Sequence, residues 1–247
     1  MLLSRLVLVL IPAFLAAGQE PRPAYEVASI KPNNSGDGHT GTDGYEGRVI
    51  FTNMPLVRLI ADAYSVAPFQ VSGSDWLAGE HFDITAKYPD GATPKDRARM
   101  LRTLLEDRFR LSVHREPKEL SGYALVAAKG GFKLKAVGGD GDDSTHHTGG
   151  PVESLDAKRT SMKTLAALLS RYIGQPVSDQ TSIAGAFDFQ LRWSREDRVE
   201  AERRDSRDAP PSIFTALQES LGLRLQPQKV TVEMVMVDRV ERAPTEN

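Results

Sequence analysis

The residues of this chain that could do chemistry are few, and their spacing completes no catalytic pattern. Cysteine is absent from all 247 residues, which excludes thiol nucleophiles, zinc–thiolate centres and disulfides. Gly36, Gly38 and Gly41 spell GxGxxG. That motif holds a pyrophosphate only when a strand runs directly into it and a helix opens directly after it. Here Pro32 intervenes and further glycines follow, so the segment reads as a loop. Asp37, His39 and Asp43 form one group of metal-ligand types, and Asp140, Asp142, Asp143, His146 and His147 form another. Neither has EF-hand or His-x-x-x-His spacing. Both read as solvated Gly-rich segments. If the second holds metal, the expected form is weak zinc or nickel binding at His146 and His147, with Asp142 nearby. No cofactor is implied.

The remaining candidates also have plain structural readings. Ser74 and Ser121 sit beside glycines without forming the G-x-S-x-G elbow of a nucleophilic serine. His114 falls on a predicted strand, where a lone histidine is ordinarily a face residue. Glu106-Asp107 falls on the polar side of a predicted helix. Asp83 and Asp188 follow Phe82 and Phe187 in two similar segments, HFDITAKY (81–88) and AFDFQLRW (186–193). Acid–base catalysis needs an asymmetric pair with separated pKa values. A residue recurring at the same place in two segments points to a structural job, such as closing a loop or pairing with an arginine.

These residues must be positioned by elements that the hydrophobic pattern delimits. Leu56, Leu59, Ile60 and Ala63 recur at helical spacing after Asn53, the expected N-cap. Thr93-Pro94-Lys95-Asp96 opens a second helix with a capping box, Ser161 caps a third, and Ile213 to Leu221 forms a fourth that stops at Gly222. Phe82, Ile84 and Ala86 alternate with polar residues, as do Phe187, Phe189, Leu191 and Trp193, which marks half-buried strands. Pro211 to Val237 reads as helix, glycine stop, strand, short turn and strand. The same grammar runs through Arg99 to Leu125, and LEDRFRLSV (105–113) aligns with LQESLGLRL (217–225). The expected fold is α+β: two tandem β-α-β-β-α-β-β repeats, with helices on one face of mainly antiparallel or mixed sheets. The first repeat spans 19–135 and the second 156–247, joined by a flexible linker at 136–155 that is rich in Gly, Asp and His. Residues 195–208 carry five positive and six negative charges, the mark of a solvated insertion.

The N-terminus predicts a destination. Arg5 precedes an apolar run, Leu6 to Ala17, followed by Gly18. This is the layout of a secretory signal at 1–18, cleaved near Gly18–Gln19. The run is too short to cross a bilayer comfortably, so no stable membrane insertion is expected after cleavage. A net charge of −2 offers no electrostatic basis for nucleic-acid binding. The expected location is the periplasm or the cell exterior.

YEVASIKPN (25–33), NMPLVRLIADAY (53–64), DWLAGEHFDITAK (75–87), MLRTLLEDRFRLSVHREPKEL (100–120), YALVAAKGGFKL (123–134) and PSIFTALQESLGLRL (211–225) together resemble the soil-associated protein family of unknown function, a large paralogous family of exported proteins in bacteria of the acidobacterial type. Thr181-Ser182-Ile183 departs from the Thr-Gly-Leu that the resemblance leads one to expect, which touches one local turn. The resemblance implies export. In some relatives it places the domain beside membrane sensor peptidases of the antirepressor type. It carries over no catalytic residue. The expected function is therefore a non-enzymatic binding or interaction module, whose partner is an envelope or extracellular protein or a small ligand, with a sheet edge or the groove between halves as the surface. The alternatives are an extracytoplasmic ligand sensor acting with a membrane partner, and a hydrolase using Asp83, Asp188 or His114.

Overall fold

The computed structural model describes residues 22–36, 38–45, 47–138, 143–150, 152–194 and 210–245. The expected signal segment 1–18 and the charged insertion 195–208 lie outside these. Among the described residues, no helix is long and apolar enough to cross a membrane. The fold is α+β, as the pattern predicts. Strands β1 (Val27–Pro32), β2 (Gly41–Tyr45), β3 (Arg48–Pro55), β4 (Val71–Ser72), β5 (His81–Lys87) and β6 (Ser112–Ala127) come from the N-terminal half, with helices α1 (Leu56–Tyr64) and α2 (Pro94–Arg108). The C-terminal half supplies β7 (Ser144–Thr148), β8 (Val152–Thr160), β9 (Val177–Asp179), β10 (Phe187–Ser194) and β11 (Leu223–Arg239). Its helices are α3 (Met162–Ile173) and α4 (Ile213–Ala216), the latter continued by a π-helical turn, Leu217–Leu221.

Three sheets result. Strands β1-β5-β3-β2 form an antiparallel sheet from the first half, and β10-β8-β7 form another from the second. The third, β4-β11-β6-β9, belongs to both halves. Its centre is a long antiparallel ladder of β6 on β11, running from Leu223 opposite Ala127 to Arg239 opposite Ser112. The short β4 adds parallel to β11, and β9 adds parallel to β6. Each half thus places its short strand against the long strand of the other. The cores interlock in the same way. Val235 on β11 is fully buried in the first-half cluster with Leu59, Ile60, Phe82 and Leu105, while Leu125 on β6 is fully buried in the second-half cluster with Leu155, Leu165, Leu169 and Leu191.

Three expectations are corrected here. The strand–turn–strand readings of 111–127 and 223–237 are each one unbroken strand. Pro117 and Pro227, which suggested turns, lie inside the ladder. Proline lacks the N–H that a neighbour on its far side would accept. β9 reaches β6 only at Tyr123–Leu125 and β4 reaches β11 only at Val235–Met236, so neither proline faces a strand there. Second, part of the segment read as a linker is sheet: Ser144–Thr148 is β7 and Val152 opens β8. Its Gly- and His-rich composition hid a two-sided strand of exposed residues. Third, α1 is capped by Pro55, and Asn53 lies in β3 with φ of 50°.

Left-handed residues end the helices. Ser65 follows α1, Gly174 follows α3, Arg110 lies just past α2 and Gly222 closes the π-turn. At Gly222, φ is 67° and an added Cβ would press into the carbonyl oxygen of Gly131. Gly222→Ala should therefore cost about 2–3 kcal/mol of stability, read by urea unfolding. Ser182, where the family resemblance leads one to expect glycine, has φ of 55°. Asp179 and Thr181 side chains close that turn on the Thr181 and Ile183 N–H groups. Ser182→Gly should stabilise the protein by about 1 kcal/mol, since it relieves the left-handed strain without touching a hydrogen bond; an unchanged urea midpoint would contradict this.

Candidate functional site

Asp83 and Asp188 each hold a backbone kink. Asn53 N–H donates to Asp83 Oδ1 at 2.8 Å, and Arg159 N–H donates to Asp188 Oδ1 at 2.8 Å. Both donors are in left-handed conformation, φ 50° in each case, at the ends of the strands that run into α1 and α3. The Asn33 side-chain amide also donates to Asp83, and the Arg159 N–H holds the Asp188 carboxyl below its ordinary value, with Lys158 assisting. Phe82 and Phe187 pack edge-on against Phe109 and Phe132, with centroids 4.9 and 5.1 Å apart. His114 lies on the exposed ribbon, 2.7 Å from Asp238. No hydrogen bond or ion pair among the described residues joins Asp83, Asp188 and His114, so these three do not assemble.

The weak metal pair does not converge either. His146 and His147 are consecutive on β7, and consecutive strand side chains project to opposite faces. His146 is exposed and opposes Asp156, while His147 turns to the helix-covered face opposite Leu155. Asp142 lies outside the described residues. Among those described, no group of three His, Asp or Glu could hold a metal ion.

The helix-covered face carries a different site. On β8, Glu153, Leu155 and Ala157 alternate inward and are all buried, so a glutamate occupies a core position. Its β10 neighbour in register is Trp193. The His147 ring Nε2 donates to Glu153 Oε2 at 2.7 Å. Helix α3 covers this end of the sheet and brings Leu168, Arg171 and Tyr172. His147 stacks on Tyr172 with centroids 4.6 Å apart, Tyr172 meets Trp193 at 5.3 Å, and His147 lies 6.1 Å from Trp193. A cavity of about 580 Å³ opens here, lined by these residues with Thr145 of β7 and Arg58 of α1. Arg58 and Arg171 share Asp62 as partner, at 3.4 and 3.7 Å. The cavity therefore lies on the seam between halves, lined by aromatic rings, a carboxylate and two guanidinium groups.

Burial pushes the Tyr172 phenol up from its ordinary value, Arg171 opposing and Glu153 adding to the rise. The Glu153 side chain is only 10% exposed. One of its oxygens is held by His147. The other, Oε1, has no hydrogen bond among the described residues and belongs to a side chain lining the cavity. Sequence reasoning missed this site because it assigned residues up to 155 to the linker. The signal was present in Glu153-Ser154-Leu155-Asp156-Ala157, where the glutamate is in phase with the apolar residues.

A family model described as a protein of unknown function (DUF3738) matches residues 57–240. No curated protein and no solved structure matches the chain. Every residue lining the cavity falls within the matched span.

The His147–Glu153 pair can be tested without any ligand. His147→Ala leaves a largely buried carboxylate with no donor and should destabilise the protein by about 1–3 kcal/mol. Adding Glu153→Gln to that variant should recover part of the loss, because the uncompensated charge is removed. The double variant being no more stable than His147→Ala in urea unfolding would contradict this pairing.

Proposed function

The chain belongs to the DUF3738 family of proteins of unknown function, and on that premise we propose that it is an exported, non-catalytic binding protein whose ligand site is the cavity at the seam of its halves. One observation carries the reading. A nine-tenths buried glutamate stands at a core position with an unengaged oxygen, beside an aromatic wall, in a cavity of about 580 Å³. A concave site that gathers aromatic rings, a carboxylate and guanidinium groups can hold and orient a small molecule through its convergent polar groups. Pure packing would place a residue like Leu155 there.

The wider reading rests on the sequence. The segment 1–18 supports export to the periplasm or exterior, and the quoted motifs support a place among the exported paralogues of soil bacteria. The matching order of elements in the two halves, β3-α1-β4-β5-α2-β6 and β8-α3-β9-β10-α4-β11, supports an origin by duplication. Among the described lining residues, Thr145 is the only aliphatic hydroxyl, which favours binding over nucleophilic catalysis. A sensing role uses the same cavity. Arg58 comes from one half and Glu153 from the other, so a ligand touching both couples them, and a membrane partner can read that coupling.

A thermal-shift screen of a broad small-molecule library tests the proposal. A true ligand at about 100 times its Kd should raise Tm by roughly 5–10 °C, and the shift should vanish in Trp193→Ala. A flat response across the library, or shifts that survive Trp193→Ala, would overturn it.

A further inference from the structure

We infer that the cavity takes a saccharide ring, a cyclic polyhydroxylated ligand with an apolar face and a hydroxyl rim; this rests on the reading of the cavity as a binding site. Four features select that chemistry. The His147, Tyr172 and Trp193 rings touch one another, with centroids 4.6–6.1 Å apart. No hollow remains between them for an ammonium head-group, which aromatic cages need. They form a packed wall in which Trp193 is buried and His147 and Tyr172 are the more accessible rings, and that apolar surface suits the weakly positive C–H bonds on the flat side of a pyranose. Second, Glu153 Oε1 accepts no hydrogen bond from a described residue and is open to the cavity, so a ligand can donate to it. A hydroxyl does so without bringing a charge into a largely buried place. Third, Arg58 and Arg171 line the cavity and share Asp62 as their ion-pair partner among the described residues. Their remaining N–H donors suit hydroxyl or ring oxygens and disfavour a cationic ligand. Fourth, the charges of Arg58, Arg171, Asp62 and Glu153 sum to zero, so the ligand need carry none. The volume of about 580 Å³ accommodates one or two sugar rings.

The test uses Trp193 as reporter. The chain has two tryptophans, and Trp76→Phe leaves Trp193 alone. The purified chain is titrated with hexoses, uronic acids, N-acetylhexosamines and their disaccharides, and in parallel with amino acids, glycine betaine and p-hydroxybenzoate. Saturable change in Trp193 emission with a saccharide, a Kd raised about tenfold or more by Glu153→Gln, and an unchanged Kd in His114→Ala are expected. Should Glu153→Gln fail to fold by circular dichroism, Arg171→Ala replaces it, with a several-fold weakening expected. A response to the parallel set alone would overturn the saccharide class while leaving the cavity a binding site. Silence from both sets would overturn both readings.

Discussion

The β6–β11 ladder is the constraint on which the rest of the structure depends. Two strands of 16 and 17 residues pair along almost their whole length, and each is shared between halves. Neither half closes its core alone, because Val235 completes the first cluster and Leu125 the second. A two-stranded ribbon is marginal in water by itself. Here its ends are covered by the two hydrophobic clusters and its edges are extended by β4 and β9. The ribbon and the two α+β layers therefore stabilise each other. This arrangement also explains why the chain holds together without a single disulfide.

The same logic repeats locally in the two halves. A strand ends in a left-handed residue, Asn53 or Arg159, whose N–H is held by Asp83 or Asp188 from a neighbouring strand. The kink redirects the chain into α1 or α3, and each aspartate follows a buried phenylalanine that anchors its strand. An aspartate is suited to this because its short side chain reaches a backbone donor across one strand spacing.

The cavity arises at one end of the β10-β8-β7 sheet. There the inward row changes from Leu155 and Ala157 to Glu153, and the cover changes to the polarisable and aromatic Tyr172, Trp193 and His147. Burying a carboxylate costs several kcal/mol unless it is hydrogen-bonded. One bond from His147 offsets part of that. Local rules broken without an evident gain in stability are expected at functional sites, which is in keeping with the proposed binding role. The two guanidinium groups arrive from different helices, so the site exists only when both halves are assembled.

The α+β class, the four helices among the described residues, the strands at 81–88 and 186–193 and the matching places of Asp83 and Asp188 were legible in the residues alone. Those features follow from periodicity and capping chemistry, which act over a few residues. The sequence also carried the family resemblance. That Ser112–Ala127 and Leu223–Arg239 are single strands came from the fold. A proline reads as a break unless one knows that its outer side faces no neighbouring strand. The exchange of β4 and β9 between halves came from the fold, because strand partners 54 and 164 residues apart leave no local trace. The cavity was hidden for the same reason. His147, Glu153, Tyr172, Trp193 and Arg58 come from five separate elements, and no spacing along the chain links them; the register of β8 with β7 and β10, and the packing of α3 and α1, bring them together.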